Sequence, residues 1–226
     1  HEQTTQIILM ARSNLGLGIV LHHYVESASG RLYALNCANL PNAPKVIRKA
    51  APSGLWDYDV ENCHFTIMAQ MARLEGPPCV AIEHYMANKK AVRAEISEGV
   101  GISIDDTKTC LLALMYGART TTWDKNAIPK AIHDKAAALF ALPLFANIAD
   151  DVERARTAIL KQHKLNRQGN LVNAFGKSIK ANDYKPEQRL AHLIQGVEAK
   201  ALRACIELHP GEIVLVQHDG FTATKR

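Results

Sequence analysis

The chain has 226 residues, 47% of them hydrophobic and 22% charged, which is ordinary for a globular protein able to bury a full core. A net charge of +5 and a pI near 8.9 suit a polyanionic partner without requiring one. The five cysteines are scattered without a CxxC pair, which argues against a disulfide framework or structural zinc and for a reducing, cytoplasmic setting. The longest apolar stretch, 136–149, is interrupted by Pro143 and is too short to cross a bilayer, so no membrane association is expected. No secretory signal is visible, and a chain beginning at His1 reads as a piece of a longer protein.

In chain order, residues 6–29 pattern as a helix that reaches a turn at Ser29-Gly30. Asn39, Pro41, Asn42 and Pro44 then favour turns and extended chain. A strand is predicted over Leu55–Val60. A helix follows, started by Asn62 as its cap, with Cys63, Ile67, Met68 and Met71 on one face. Pro77-Pro78 precedes a second helical region over 81–94, and 104–115 forms a helix with Asp105 and Asp106 in its first turn, where the macrodipole favours them. Further helices are predicted over 130–142 and 148–163. A Gly169-Asn170 turn opens an extended pair over 171–179, broken at Gly176. A long helix runs from Glu187 to Leu208, and 213–216 is a β-rich run leading into Gln217-His218-Asp219. No repeat or low-complexity linker divides the chain. The pattern is α+β, a small sheet holding Asp59 and Asp219 with helices around it.

Two aspartates at strand ends are the arrangement that phosphoryl transfer needs. Two divalent ions roughly 3.5–4 Å apart activate an attacking hydroxyl and neutralise the leaving group. Mg²⁺ asks for only a few carboxylates plus water and substrate phosphates. Lys108 and Tyr116 lie eight residues apart, a little over two turns, so they share a stripe with Leu112 between them. A lysine there can grip phosphate, a tyrosine can stack under a base or sugar, and Gly117 admits a close approach. Arg31 follows a glycine in a turn, well placed for phosphate or a base edge. Gln195-Gly196 lies inside a long helix, where glycine costs roughly 1 kcal/mol relative to alanine, so close packing or an approaching nucleic acid is expected there. Each residue alone also has a plainer explanation: a turn aspartate, a snorkelling lysine, a solvated loop arginine. His64, His192 and His218 lack a metal-ligand spacing.

Taken together, these segments resemble the family A DNA polymerases, the DNA polymerase I group. Residues 29–44 (SGRLYALNCANLPNAP) are similar to that family's TGRLSS…PNLQNIP segment, with Arg48 following. Residues 59–65 (DVENCHF) resemble its first palm motif, DYSQIELR, and the register on Asp59 rather than Asp57 puts Cys63, Phe65, Ile67, Met68 and Ala69 on apolar helix positions. Lys108 to Tyr116-Gly117 is similar to the fingers motif Kx₇YG, shared with phage-type single-subunit RNA polymerases. Residues 170–177 resemble the hairpin after the fingers, Gln195-Gly196 the QGTAAD helix, and Gln217-His218-Asp219 the VHDE hairpin.

The resemblance implies a right-hand polymerase core spanning 1–226. Its palm, a small antiparallel sheet, would cover about 28–75 and 165–226, and its helical fingers about 76–164. It implies a DNA-directed DNA polymerase that adds dNTPs to a primer 3′-hydroxyl with release of pyrophosphate, in a bacterial, phage or plasmid context. Asp59 and Asp219 would bind two Mg²⁺ ions (Mn²⁺ substituting), assisted by the Val60 carbonyl. Lys108 would hold the triphosphate, with Tyr116, Leu112 and His64 around the nucleotide. Arg31, Gln195, His218 and Gly117 would contact template-primer DNA. Three departures bear on this. The family's glutamate that blocks a ribose 2′-hydroxyl is His64, the fingers arginine four residues before the lysine is Ile104, and the carboxylate after the last aspartate is Gly220. HDGF thus sits between the DNA polymerases' HDE and the RNA polymerases' HDS. No thumb or exonuclease fits within the chain, so a partner protein or a missing segment would supply the thumb. Two alternatives stay open: an RNA- or primer-synthesising polymerase of the same fold, and a catalytically silent nucleic-acid-binding module.

Overall fold

The computed structural model describes residues 5–9, 20–35, 39–76, 78–217 and 219–226. The chain divides into two compact units, one of His1–Glu61, Asn173–Lys177 and Gln195–Arg226, the other of Asn62–Val172 and Ser178–Ile194.

The first unit is built on two small antiparallel sheets. Strands β1 (Tyr24–Glu26) and β2 (Leu32–Ala34) form a hairpin, with Tyr24 opposite Ala34. Its turn closes through the Gly30 N–H on the Ser27 carbonyl, and Gly30 holds φ at 95°, a left-handed conformation that costs glycine little. Here the expected helix over 6–29 is wrong in its second half: residues 5–9 are helical, but 24–26 is a strand, and 10–19 lie outside the described residues. Periodicity could not see the reason. The Tyr24 hydroxyl donates to the Val216 carbonyl and accepts from the Val216 N–H, both at 3.1 Å, so a tertiary partner fixes the strand. A short helix, α1 (Lys45–Ala50), follows Pro44.

The second sheet runs β3 (Trp56–Asp59), β7 (Gly220–Ala223), β6 (Ile213–Val216), antiparallel throughout, with a bulge between Ile213 and Leu215. The sequence pattern gave β3 and β6 but missed β7, because GFTA is too short to show alternation. The end of the long helix α9 (Pro186–Leu208) belongs to this unit from Gln195 onward. There Arg31 donates from Nε and Nη2 to the two carboxylate oxygens of Glu198, at 2.7 and 2.6 Å. Their side chains are 10% and 2% exposed, so the pair is desolvated and bidentate.

The second unit is helical. Helix α2 (Cys63–Glu75) buries Cys63, Phe65, Ile67, Met68, Ala69 and Ala72, as its sequence period predicts. Asn62 sits at its N-cap position but in a left-handed conformation (φ 50°), with no side-chain cap bond, so the expected cap is absent. The single helix expected over 81–94 is two, α3 (Val80–Ala87) and α4 (Lys89–Val100), interrupted at Asn88, whose Nδ2 bonds back to the His84 carbonyl. Helix α5 (Ile104–Met115) starts as a capped helix should: Ser103 Oγ accepts from the Asp106 N–H at 3.0 Å and donates to Asp106 Oδ2 at 2.7 Å. The helix expected over 130–142 is likewise divided, into α6 (Ala127–Ile132) and α7 (Ala136–Ala141), by His133 at φ 51°. Helix α8 starts five residues earlier than expected, at Pro143–Gln162, with proline in the first turn. From it the buried Asp151 accepts from the Ala81 and Ile82 N–H groups at 2.7 and 3.2 Å, capping the start of α3 across the helix interface. Strands β4 (Asn170–Val172) and β5 (Ser178–Lys180) make the expected hairpin. Among the described residues no helix is long and apolar enough to cross a membrane.

Glu198→Ala would remove one partner of the desolvated pair. We expect a loss of about 3 kcal/mol, read as a lower urea midpoint, and an unchanged midpoint would show that the pair does not hold this unit together.

Candidate active site and nucleic-acid interface

In the first unit the β3–β7 register decides which residues meet. Asp59 stands opposite Gly220, and the Val60 N–H donates to the Asp219 carbonyl at 2.9 Å. The Gln217 N–H on the Gly220 carbonyl, also 2.9 Å, closes the β6–β7 turn. Two exposed carboxylates, 160 positions apart in sequence, are thereby fixed on adjoining backbone. Asp57 shares a strand face with Asp59 but accepts from Thr222 Oγ1 at 3.3 Å, so the neighbouring strand already engages it. The other face is braced by aromatic contacts, Tyr58 stacked on Phe221 at 5.1 Å and the Arg226 guanidinium over Trp56 at 5.0 Å.

Gly220 explains itself in this register. A Cβ there would lie 3.1 Å from the Asp59 Cα and closer still to the Tyr58 carbonyl oxygen. The strand carrying Asp59 therefore leaves no room for a side chain at 220, and the carboxylate found there in the resembled family has no place in this backbone. As for a metal, the donor set is two hard oxygen-bearing side chains on rigid strand ends, which fits Mg²⁺ completed by water and phosphate and does not fit zinc. Among the described residues no group of three or more His, Cys, Asp or Glu is arranged to hold a metal ion.

In the second unit, α5 buries Thr107, Cys110, Leu111, Leu114 and Met115 and turns Lys108, Leu112 and Tyr116 outward as one exposed stripe. The stripe is therefore not the core face of the helix. Burial, with Asp106 nearby, pushes the Cys110 thiol up to about 11, so it stays protonated at neutral pH and behaves as a core hydrophobe. Tyr116, at the C-cap, is bonded through its hydroxyl to His64 Nδ1 at 2.7 Å, and the rings meet edge to face at 5.6 Å. The two residues expected around the nucleotide, one from α2 and one from α5, are thus brought into contact. Gly117 follows at φ 86°, where a Cβ would lie 2.5 Å from that of Glu187. The glycine is required by Glu187 and by the turn, with no need of an approaching base. Beyond it a cleft of about 370 Å³ is lined by Tyr116, Arg119, Trp123, Lys125 and Lys185 among others.

The residues expected at nucleic acid behave differently. Arg31 is not a solvated loop arginine; it turns onto Glu198. Gln195 is half-buried, and the helix glycine beside it is explained by close packing, since a Cβ on Gly196 would meet the Asn173 side chain at 2.6 Å. His218 lies outside the described residues. Sequence reasoning missed Asn173, Glu187 and Glu198. The glycines that face the first two, Gly196 and Gly117, were visible; their partners were not.

No family model matches this chain, and no curated protein does. Among solved structures it is similar to the polymerase domain of Pol1 from M. smegmatis, solved in complex with DNA primer-template and dNTP. The TM-score is 0.59 at 15% sequence identity, over 97% of this chain. The chain spans 43% of the length of that domain. The likeness shows a polymerase-like α+β fold.

Proposed function

We propose that this chain is the catalytic core of a template-directed nucleotide polymerase, the first unit acting as palm and the second chiefly as fingers. The observation that carries the reading is the β3–β7 register, which sets Asp59 beside Asp219 at the edge of an antiparallel sheet in a chain of polymerase-like fold. In the reaction, a primer 3′-hydroxyl loses its proton to solvent and its oxygen bonds to the α-phosphorus of a nucleoside triphosphate. The bond from that phosphorus to the bridging oxygen breaks, and pyrophosphate leaves with the electron pair. Asp59 and Asp219 would hold Mg²⁺ or Mn²⁺, which supplies charge stabilisation to the hydroxyl and the leaving group. Lys108 neutralises triphosphate oxygens from the exposed stripe of α5, and Tyr116, fixed by His64, presents its ring to the base or sugar. A polyanionic partner is supported by charge placement. Within 161–189, Lys161, Lys164, Arg167, Lys177, Lys180, Lys185 and Arg189 outnumber Asp183 and Glu187 by five, with Lys177 paired to Glu26.

A second reading keeps the chemistry and changes the sugar. His64 in place of the blocking carboxylate, and HDGF lying between HDE and HDS, favour a site that accepts ribonucleotides.

Primer extension with Mg²⁺ decides both. Incorporation is expected with the intact protein and a fall of about 10²–10³-fold for Asp59→Ala or Asp219→Ala. No incorporation by the intact protein, or equal incorporation by these variants, removes this reading, and salt-dependent duplex binding without turnover leaves a silent nucleic-acid-binding module. Running dNTPs and rNTPs side by side separates the two sugars, and strict rejection of rNTPs eliminates the second reading. Gly220→Glu is expected to lower the melting temperature through overpacking of about 1–3 kcal/mol and to reduce extension. A gain in incorporation would show that the β3–β7 register is not as described.

A further inference from the structure

The Asn173 side chain joins three separate segments of the first unit. Its Nδ2 donates to the Ser29 carbonyl at 3.0 Å, a buried bond between residues 144 positions apart. Its Oδ1 accepts from the Phe175 and Lys177 N–H groups, both at 3.1 Å, which shapes the hairpin tip it begins. The side chain also packs against Gly196 of α9, closely enough that no Cβ fits there. Asn173 is 5% exposed. On the other side of the same junction the Phe175 ring occupies the space a Cβ on Gly30 would need, at 2.6 Å. Two glycines, one in a turn and one inside a helix, are therefore required by neighbouring residues of one hairpin tip.

The residues beside these contacts are Arg31, two positions after Ser29, and Gln195, one before Gly196. Both were assigned to nucleic acid. Arg31 is engaged by Glu198, and Lys177 by Glu26, which also pairs with Arg203. The charged groups of the junction are thus internally matched, and what the junction can offer a duplex is a fixed surface more than loose cations.

We propose that Asn173 is the positioning residue of the nucleic-acid grip: its amide locks the Ser29–Arg31 turn and the Gln195–Gly196 helix to the hairpin tip, so that these elements meet template-primer as one preformed surface. This rests on the polymerase reading above. The amide is needed for a specific reason. A carboxylate at 173 keeps both acceptor contacts to Phe175 and Lys177 but cannot donate to Ser29, and it sets two oxygens against each other in a buried place.

The test uses the full chain and a fluorescein-labelled primer-template duplex with a single-stranded overhang. Anisotropy gives the DNA Kd, and steady-state extension gives kcat and the nucleotide KM at saturating DNA. For Asn173→Asp, DNA affinity is expected to weaken about tenfold, the scale of one unsatisfied buried polar group. The nucleotide KM and kcat should stay within about twofold of the intact protein. Asn173→Ala, which also loses the hairpin contacts, should weaken DNA binding further. If Asn173→Ala fails to fold, the aspartate variant still decides. Intact protein that does not bind the duplex removes the polymerase reading and this proposal with it. Intact protein that binds, with Asn173→Asp binding equally well or losing kcat instead, overturns the positioning role alone.

Discussion

The contact between Gly220 and the backbone of Tyr58 and Asp59 is the constraint from which the candidate active site follows. An antiparallel pair can place a side chain at every position only if the strands keep their usual separation. Here β7 begins so close to β3 that glycine alone fits, and that closeness puts the Val60 N–H on the Asp219 carbonyl. The two aspartates are held on adjoining backbone by main-chain bonds, the Val60 N–H on the Asp219 carbonyl among them. A site built in this way resists drift. Asp59 ends β3 and Asp219 directly precedes β7, so the sheet's register sets the place of both.

Much of this was legible in the sequence, and the legible parts share a cause. The α5 stripe, the apolar face of α2 and the β4–β5 hairpin are local: their periods, caps and glycines lie within one element, so spacing alone reveals them. The parts that were not legible depend on distant partners. β1 is a strand because Tyr24 finds Val216. α3 starts where it does because Asp151, seventy residues on, satisfies its first N–H groups. The break at Asn88 is a local bond to His84 that competes with helix, which hydrophobic periodicity does not register.

The same division explains what single residues could and could not report. An arginine after a turn glycine looks like a ligand contact because nothing nearby in sequence answers its charge, yet Glu198 answers it from 167 positions away. Glycine in a helix signalled correctly that something comes close; it could not say whether that was DNA or Asn173. A glycine reports the space it leaves, and only the fold names the occupant.

Under the polymerase reading, the two positions that bear on the choice of sugar differ in kind. At 220 the backbone itself excludes a side chain, so the missing carboxylate is a consequence of the register that builds the site. At 64 nothing of the sort applies. The residue is half-buried at the start of α2, and its ring is held edge-on to Tyr116 by one hydrogen bond. A glutamate there would offer the Tyr116 hydroxyl an acceptor but would add a full negative charge beside the α5 stripe. The imidazole holds the tyrosine where the resembled family places its blocking carboxylate, so the ring is positioned without that group. Of these two positions, only 220 is dictated by a backbone contact, so under the polymerase reading 64 is where sugar preference would be tuned.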